Sequence, residues 1–136
     1  MPKPKNTRLT VFKGREARLN RAVFQSLALK GPQTAYDIYK EVTFQRGSKR
    51  IRYASVNKRI RNLEKLGYIR KASVKETKAG FPASVYELCT KAYLAMLLHS
   101  INLDVLVMKA NDQVAENILV SFLGALELRF CRQQLP

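Results

Sequence analysis

One stretch, Tyr53–Ile69 (YASVNKRIRNLEKLGYI), constrains this chain more than any other. Val56, Ile60 and Leu63 recur at helical spacing and mark one stripe for burial, with Leu66 extending it. The opposite face carries Ser55, Asn57, Lys58, Arg61 and Asn62, a run of hydroxyl, amide and cationic groups. Arg59 falls nearer the buried edge. Gly67 supplies the left-handed conformation that ends a helix, and Tyr68-Ile69 opens an extended run. The stretch therefore predicts a two-faced helix leading directly into a strand.

Charge gives the outward face its meaning. The chain has 136 residues, enough for one ordinary domain and an extension, and at 46% hydrophobic it can bury a core. It holds 25 Lys and Arg against 10 Asp and Glu, a net charge of +15. Residues 1–91 contain 22 basic and 6 acidic side chains, net +16, whereas residues 92–136 contain 3 and 4, net −1. A basic block followed by a neutral, apolar one points to two tasks: binding a polyanion, then packing or pairing. The alternative is a basic proteome with a solvated charged surface, disfavoured because the asymmetry follows the motif boundary.

Catalytic chemistry has little to stand on. There is no nucleotide-binding glycine loop, no paired carboxylates, no Ser/His/Asp set and no metal constellation, so no enzyme, cofactor, metal or small-molecule ligand is expected. Cys89 and Cys131 lack CxxC spacing and are read as buried free thiols in a reducing cytoplasm, with an intersubunit disulfide as the other option. His99, the single histidine, is read as a packed or surface side chain. Met1-Pro-Lys-Pro-Lys is not followed by the apolar run of a signal peptide. The apolar clusters Ala92–Leu98 and Ile118–Leu126 fall short of the ~20 residues that span a bilayer.

In chain order, residues 1–13 read as a basic arm carrying Lys3, Lys5, Arg8 and Lys13, with Leu9–Phe12 able to pair as a short strand. A first helix over 15–30 buries Leu19, Val23 and Leu27 and stops at Lys30-Gly31-Pro32. Thr34-Ala-Tyr-Asp37 is a capping box opening a second helix, which runs to about Val42 and buries Ala35, Ile38 and Val42. Thr43–Arg52 then forms a basic connection whose Arg46, Lys49, Arg50 and Arg52 are candidate phosphate contacts. After Gly67 come strands over 68–77 and 84–88, with Ile69 and Val74 as apolar positions and Gly80 and Pro82 in the turn between. A fourth helix starts at Thr90. A break near Asn102 or Asp104 and a cap at Asn111 or Asp112 precede a last helix over 113–132. That helix is apolar on most of its circumference and needs cover on more than one side.

The pattern Val56, Ile60, Leu63-Glu64-Lys65-Leu66-Gly67-Tyr68-Ile69 resembles the recognition helix and first wing strand of winged helix-turn-helix DNA-binding regulators, in the PadR- or MarR-like superfamily of archaea and bacteria. Gly31-Pro-x-Thr-Ala-Tyr-Asp-Ile38 is similar to their second-helix start. Thr90 through Tyr93-Leu94 is similar to their exit into a dimerisation helix. The resemblance implies a mostly α fold with a small β-hairpin wing (α+β). Its parts would be a basic arm over 1–13, a winged-helix domain over 14–90 and a dimerisation segment over 91–136. It implies a sequence-specific regulator whose partners are double-stranded DNA and a second copy of the chain, working in the cytoplasm at the nucleoid and archaeal in origin.

Ser55, Asn57, Lys58, Arg61 and Asn62 would then meet a major groove, and the wing residues Lys75 and Lys78, with Arg70 and Lys71 nearer its base, a neighbouring minor groove. Phe81 is expected to pack back on the hairpin, a wing-tip contact being the alternative. Leu94, Leu97, Leu98, Ile118, Phe122 and Leu126 would line the dimer interface, the alternative being that these helices fold back on the winged helix of a monomer. A rival reading is an architectural or replication-machinery protein that binds DNA with little sequence preference. RNA binding is disfavoured because the sequence offers no evident aromatic platform for stacking single-stranded bases.

Overall fold

Val23, Phe24 and Leu27 lie fully or almost fully buried on α1 (Ala17–Lys30), the helix around which the first part of the chain packs. The computed structural model of the 136-residue chain describes residues 9–46 and 51–134, with side chains described for 9–45 and 51–124. It divides into two compact units, Met1–Ser100 and Ile101–Pro136.

In the first unit, a 3-10 turn (Thr10–Phe12) precedes α1. Then follow β1 (Gln33–Thr34), α2 (Ala35–Arg46), α3 (Tyr53–Lys65), β2 (Ile69–Glu76), β3 (Pro82–Leu88) and α4 (Thr90–Ser100). The three strands form one antiparallel sheet in the order β1-β3-β2. β2 and β3 make a hairpin from Ile69↔Leu88 to Glu76↔Pro82, with a bulge between Lys71 and Ser73. Three helices on a small sheet, with a hairpin directly after the third helix, make an α+β winged-helix fold.

The core of the first unit draws on the 3-10 turn, all four helices and both strands of the hairpin. Ile38 and Val42 of α2 are fully buried, as are Val56, Ile60 and Leu63 of α3; Ile69, Tyr86 and Leu88 of the hairpin join them. Gly31, at φ +79°, closes α1 through its N–H to the Leu27 carbonyl. At the end of α3 the Tyr68 N–H donates to the Leu63 carbonyl and the Gly67 N–H to the Glu64 carbonyl, with Gly67 at φ +86°. That pair of bonds is a Schellman motif. The Lys91 ammonium caps the same helix end, donating to the Leu66 carbonyl at 2.8 Å while lying over the Tyr68 ring.

Several boundaries depart from expectation for physical reasons. Leu9–Phe12, expected in a basic arm or as a strand, instead form a 3-10 turn that delivers Val11 and Phe12 to the core. Val11 and Phe12 are buried, Phe12 meets Phe24 edge-to-face and His99 at 4.5 Å, and the Asn20 amide donates to the Val11 carbonyl. α2 continues past Val42 to Arg46; within it the Thr43 hydroxyl donates to the Tyr39 carbonyl and the Gln45 amide to Glu41 one turn earlier. Half of the expected capping box forms, with the Asp37 N–H donating to the Thr34 hydroxyl. β1 adds a strand outside the two-stranded hairpin that the sequence predicts. It pairs Gln33 and Thr34 with Tyr86 and Val85, and the Gln33 amide pins it to the end of α1 by donating to the Ser26 and Gly31 carbonyls. Pro82, expected in the turn, is instead the first residue of β3, where its missing N–H is tolerated. The first unit runs through Ser100, past the boundary expected at residue 90, because Ala92 and Ala95 of α4 enter its core.

The second unit contains α5 (Leu103–Lys109) and α6 (Asp112–Gln134). Asn102 caps α5 by accepting from the Val105 N–H, and Asn111 accepts from the Val114 N–H at the start of α6. Ile101, Val105, Leu106 and Val114 line an open, mostly apolar groove of about 380 Å³. No residue of α5 is buried. Among the described residues no single helix is long and apolar enough to cross a membrane.

Candidate nucleic-acid interface

The phase of α3 decides what faces outward. With Val56, Ile60 and Leu63 fixed inside, Ser55, Lys58 and Arg61 are exposed and Asn57 and Asn62 half-buried. All but Ser55 line a shallow open depression of about 330 Å³ together with Ala54, Arg59 and Lys65. That lining holds four cations and two amides and no carboxylate. The first turn of α3 carries no acid either, so the partial positive charge of its N-terminus stays uncompensated by its own side chains. Arg59 is tied down: its Nε lies 3.5 Å from Glu16 Oε2, and its side chain is only 14% exposed. It fastens α3 to the start of α1.

The basic connection is shorter than expected. Arg46 belongs to the last turn of α2 and not to a loop. Lys49 and Arg50 lie outside the described residues. Arg52 holds the N-cap position of α3; its carbonyl accepts from the Ser55 and Val56 N–H groups and its side chain is exposed.

On the hairpin, Lys71, Lys75 and Lys78 are exposed. Arg70 is exposed as well, yet its Nε donates to Glu87 Oε1 on the neighbouring strand at 2.6 Å. That hydrogen bond first, and the Glu87 charge second, raise the pKa of Arg70 above its ordinary value. Two apolar residues contradict the sequence reading. Val74, expected as an inward position, is 69% exposed, and Phe81, expected to pack back on the hairpin, is 71% exposed.

The structure also assembles a group that sequence reasoning missed. Tyr36 and Tyr39 on α2 and Tyr53 at the start of α3 form a ring cluster, with centroids 5.7 to 6.2 Å apart and Tyr39 edge-on to Tyr53. Lys40 Nζ lies 5.0 Å from the Tyr36 ring centre. Tyr36 and Tyr53 are exposed, so an aromatic surface does exist beside the first turn of α3. The Tyr36–Tyr39 spacing was a visible local signal; the arrival of Tyr53 was not.

Of the residues expected at a dimer interface, Leu94, Leu97 and Phe122 are exposed and Leu98 and Ile118 half-buried. The Leu126 side chain lies outside the described ones. Leu119, Val120 and Leu123 are exposed too.

No protein-family model matches this chain, and no curated protein sequence does. Among solved structures, the chain is similar to a candidate transcriptional regulator from Thermoplasma acidophilum, with a TM-score of 0.50 at 17% identity over 78% of this chain and 93% of the other. At that identity the likeness speaks for the fold.

Proposed function

We propose that this chain is a double-stranded DNA-binding transcription regulator that acts as a homodimer and reads sequence with α3. One observation carries the proposal: the outward face of α3 is a carboxylate-free surface of cations and amides, held at a fixed phase by three fully buried residues. Arg and Lys donate to guanine edges and phosphates, and Asn to adenine. In this reading Ser55, Asn57, Lys58, Arg61 and Asn62 face a major groove. Arg46 at the end of α2, Lys49 and Arg50 in the connection, and Arg52 at the N-cap of α3 hold the backbone, and Lys71, Lys75 and Lys78 line the wing contact. The description of the Thermoplasma protein as a regulator agrees with this. In the second unit the exposed Leu119, Phe122 and Leu123 of α6 supply a pairing surface, and two heads related by a two-fold axis require half-sites about 34 Å apart or a multiple of it. The place of work would be the nucleoid.

The rival reading, an architectural protein with little sequence preference, is favoured by the density of lysine on the wing. Selection from a pool of random duplexes across a salt series, with the mass of the complex read in parallel, separates the two. One palindromic motif held by two chains per duplex is the expected result. Uniform recovery, with all affinity lost at high salt, would replace a regulator with an architectural protein.

A further inference from the structure

The tip of the β2–β3 hairpin is built to hold one aromatic ring in solvent. The Thr77 N–H donates to the Phe81 carbonyl at 2.9 Å and the Gly80 N–H to the Thr77 carbonyl at 2.9 Å. The Thr77 hydroxyl donates to the Phe81 carbonyl at 3.0 Å and accepts from the Phe81 N–H at 3.2 Å. Both polar backbone groups of Phe81 are thus bound to one residue across the turn. Gly80 at φ +81° precedes it, and Pro82, whose ring fixes its own φ, follows and pairs with Glu76. The backbone is fixed while the side chain is 71% exposed. A tip of this kind is not a ring waiting to fold back.

The surroundings identify what the ring meets. Lys71, Lys75 and Lys78 are exposed on the same hairpin. Its acids are Glu76 and Glu87, and Glu87 is held by Arg70. The partner is therefore a polyanion offering an apolar slot between charges. β2 begins four residues after α3 ends, so the hairpin is rooted beside the cationic face. We infer that Phe81 is an apolar wedge that enters a minor-groove base step of the duplex read by α3, partly unstacks it and bends the DNA. The inference rests on the DNA-binding reading above. Lysines on the hairpin neutralise the phosphates on either side, while the ring replaces some of the stacking that the step loses. Pyrimidine–purine steps, which open most easily, are its preferred sites.

The test uses the full chain and short duplexes with donor and acceptor dyes at their ends, plus a second set carrying 2-aminopurine at successive steps through a TA-containing tract. Wild type, Phe81→Ala and Phe81→Leu are compared at equal saturation, with thermal melts confirming that this exposed position leaves the fold intact. The wild type is expected to bend the duplex by roughly 20–90° and to raise 2-aminopurine fluorescence at one or two steps. Phe81→Ala binds a straight duplex without that rise, and Phe81→Leu retains most of both signals. Equal bending by wild type and Phe81→Ala overturns the wedge and leaves the DNA-binding reading standing. A wild-type chain that binds no duplex at any salt concentration overturns both. Loss of binding to phosphatidylserine vesicles in Phe81→Ala, with DNA geometry unchanged, overturns the wedge in favour of a membrane contact.

Discussion

Arg61 and Arg70 carry the same guanidinium into different surroundings. Arg61 is exposed on a face without a carboxylate, whereas Arg70 already spends its Nε on Glu87. If Arg61 reads a guanine, Arg61→Ala should weaken binding by about 1–3 kcal/mol and relax one base position; an equal loss on every sequence reduces it to a phosphate contact. Arg70 calls for the opposite experiment. Glu87→Gln removes its carboxylate partner and one negative charge, so DNA affinity should rise. A phosphate newly engaged by Arg70 would steepen the slope of log K against log salt by about 0.9. Because Glu87 raises the pKa of Arg70, the pair's contribution is fully present at ordinary pH and is lost only as strong alkali carries the pH through that raised value. Binding should therefore show no pH dependence near neutrality that traces to Arg70. At Gly67 the cost of substitution is conformational: an added Cβ would meet the Lys91 side chain no closer than 3.8 Å, an ordinary contact, but φ is +86°. Gly67→Ala should lower stability by about 1–2 kcal/mol in urea unfolding.

At the scale of elements, α3 performs two jobs that substitution can separate. Ile60 is fully buried, so Ile60→Ala should cost about 2–5 kcal/mol of stability. Lys58→Ala, on the exposed face, should leave the unfolding midpoint nearly unchanged and weaken DNA binding. Equal effects of both on the midpoint would mean that the face is not free to serve a ligand. This division was legible in the sequence because it is local: a 3.6-residue period sets the stripe, and one glycine ends it. What stayed illegible depends on distant neighbours. Two residues pairing as β1 leave no periodic trace. The run Leu9–Phe12, set among charges, reads as an arm until α1 and His99 close over Phe12. Val74 sits in a strand pattern that predicts burial, but β2 extends beyond the core after Ile69 and no described element covers it. The tyrosine cluster is the clearest case, since Tyr53 reaches Tyr36 and Tyr39 only when α2 and α3 pack.

At the scale of the whole molecule, the question is what covers the second unit. α5 buries nothing, Met108 is 84% exposed, and Leu119, Phe122 and Leu123 share one exposed stripe of α6 at i, i+3 and i+4. Apolar surface of this continuity marks an interaction site in a folded chain. The same unit is almost neutral while the first is strongly basic, so two copies can meet through residues 101–136 without bringing +16 against +16 at the seam. A charge placed within the stripe tests this directly. Phe122→Asp should convert a dimer into a monomer in sedimentation equilibrium, with α1 amides still protected from hydrogen exchange because the winged-helix unit carries its own core. On a two-fold duplex the monomer should lose about 10²- to 10⁴-fold in affinity, the loss expected when a second linked head no longer engages. Its salt slope should fall by half, because half the phosphates are contacted. A wild type that sediments as a monomer, with a slope that Phe122→Asp leaves unchanged, would assign the stripe to a different partner and leave each winged helix to bind alone.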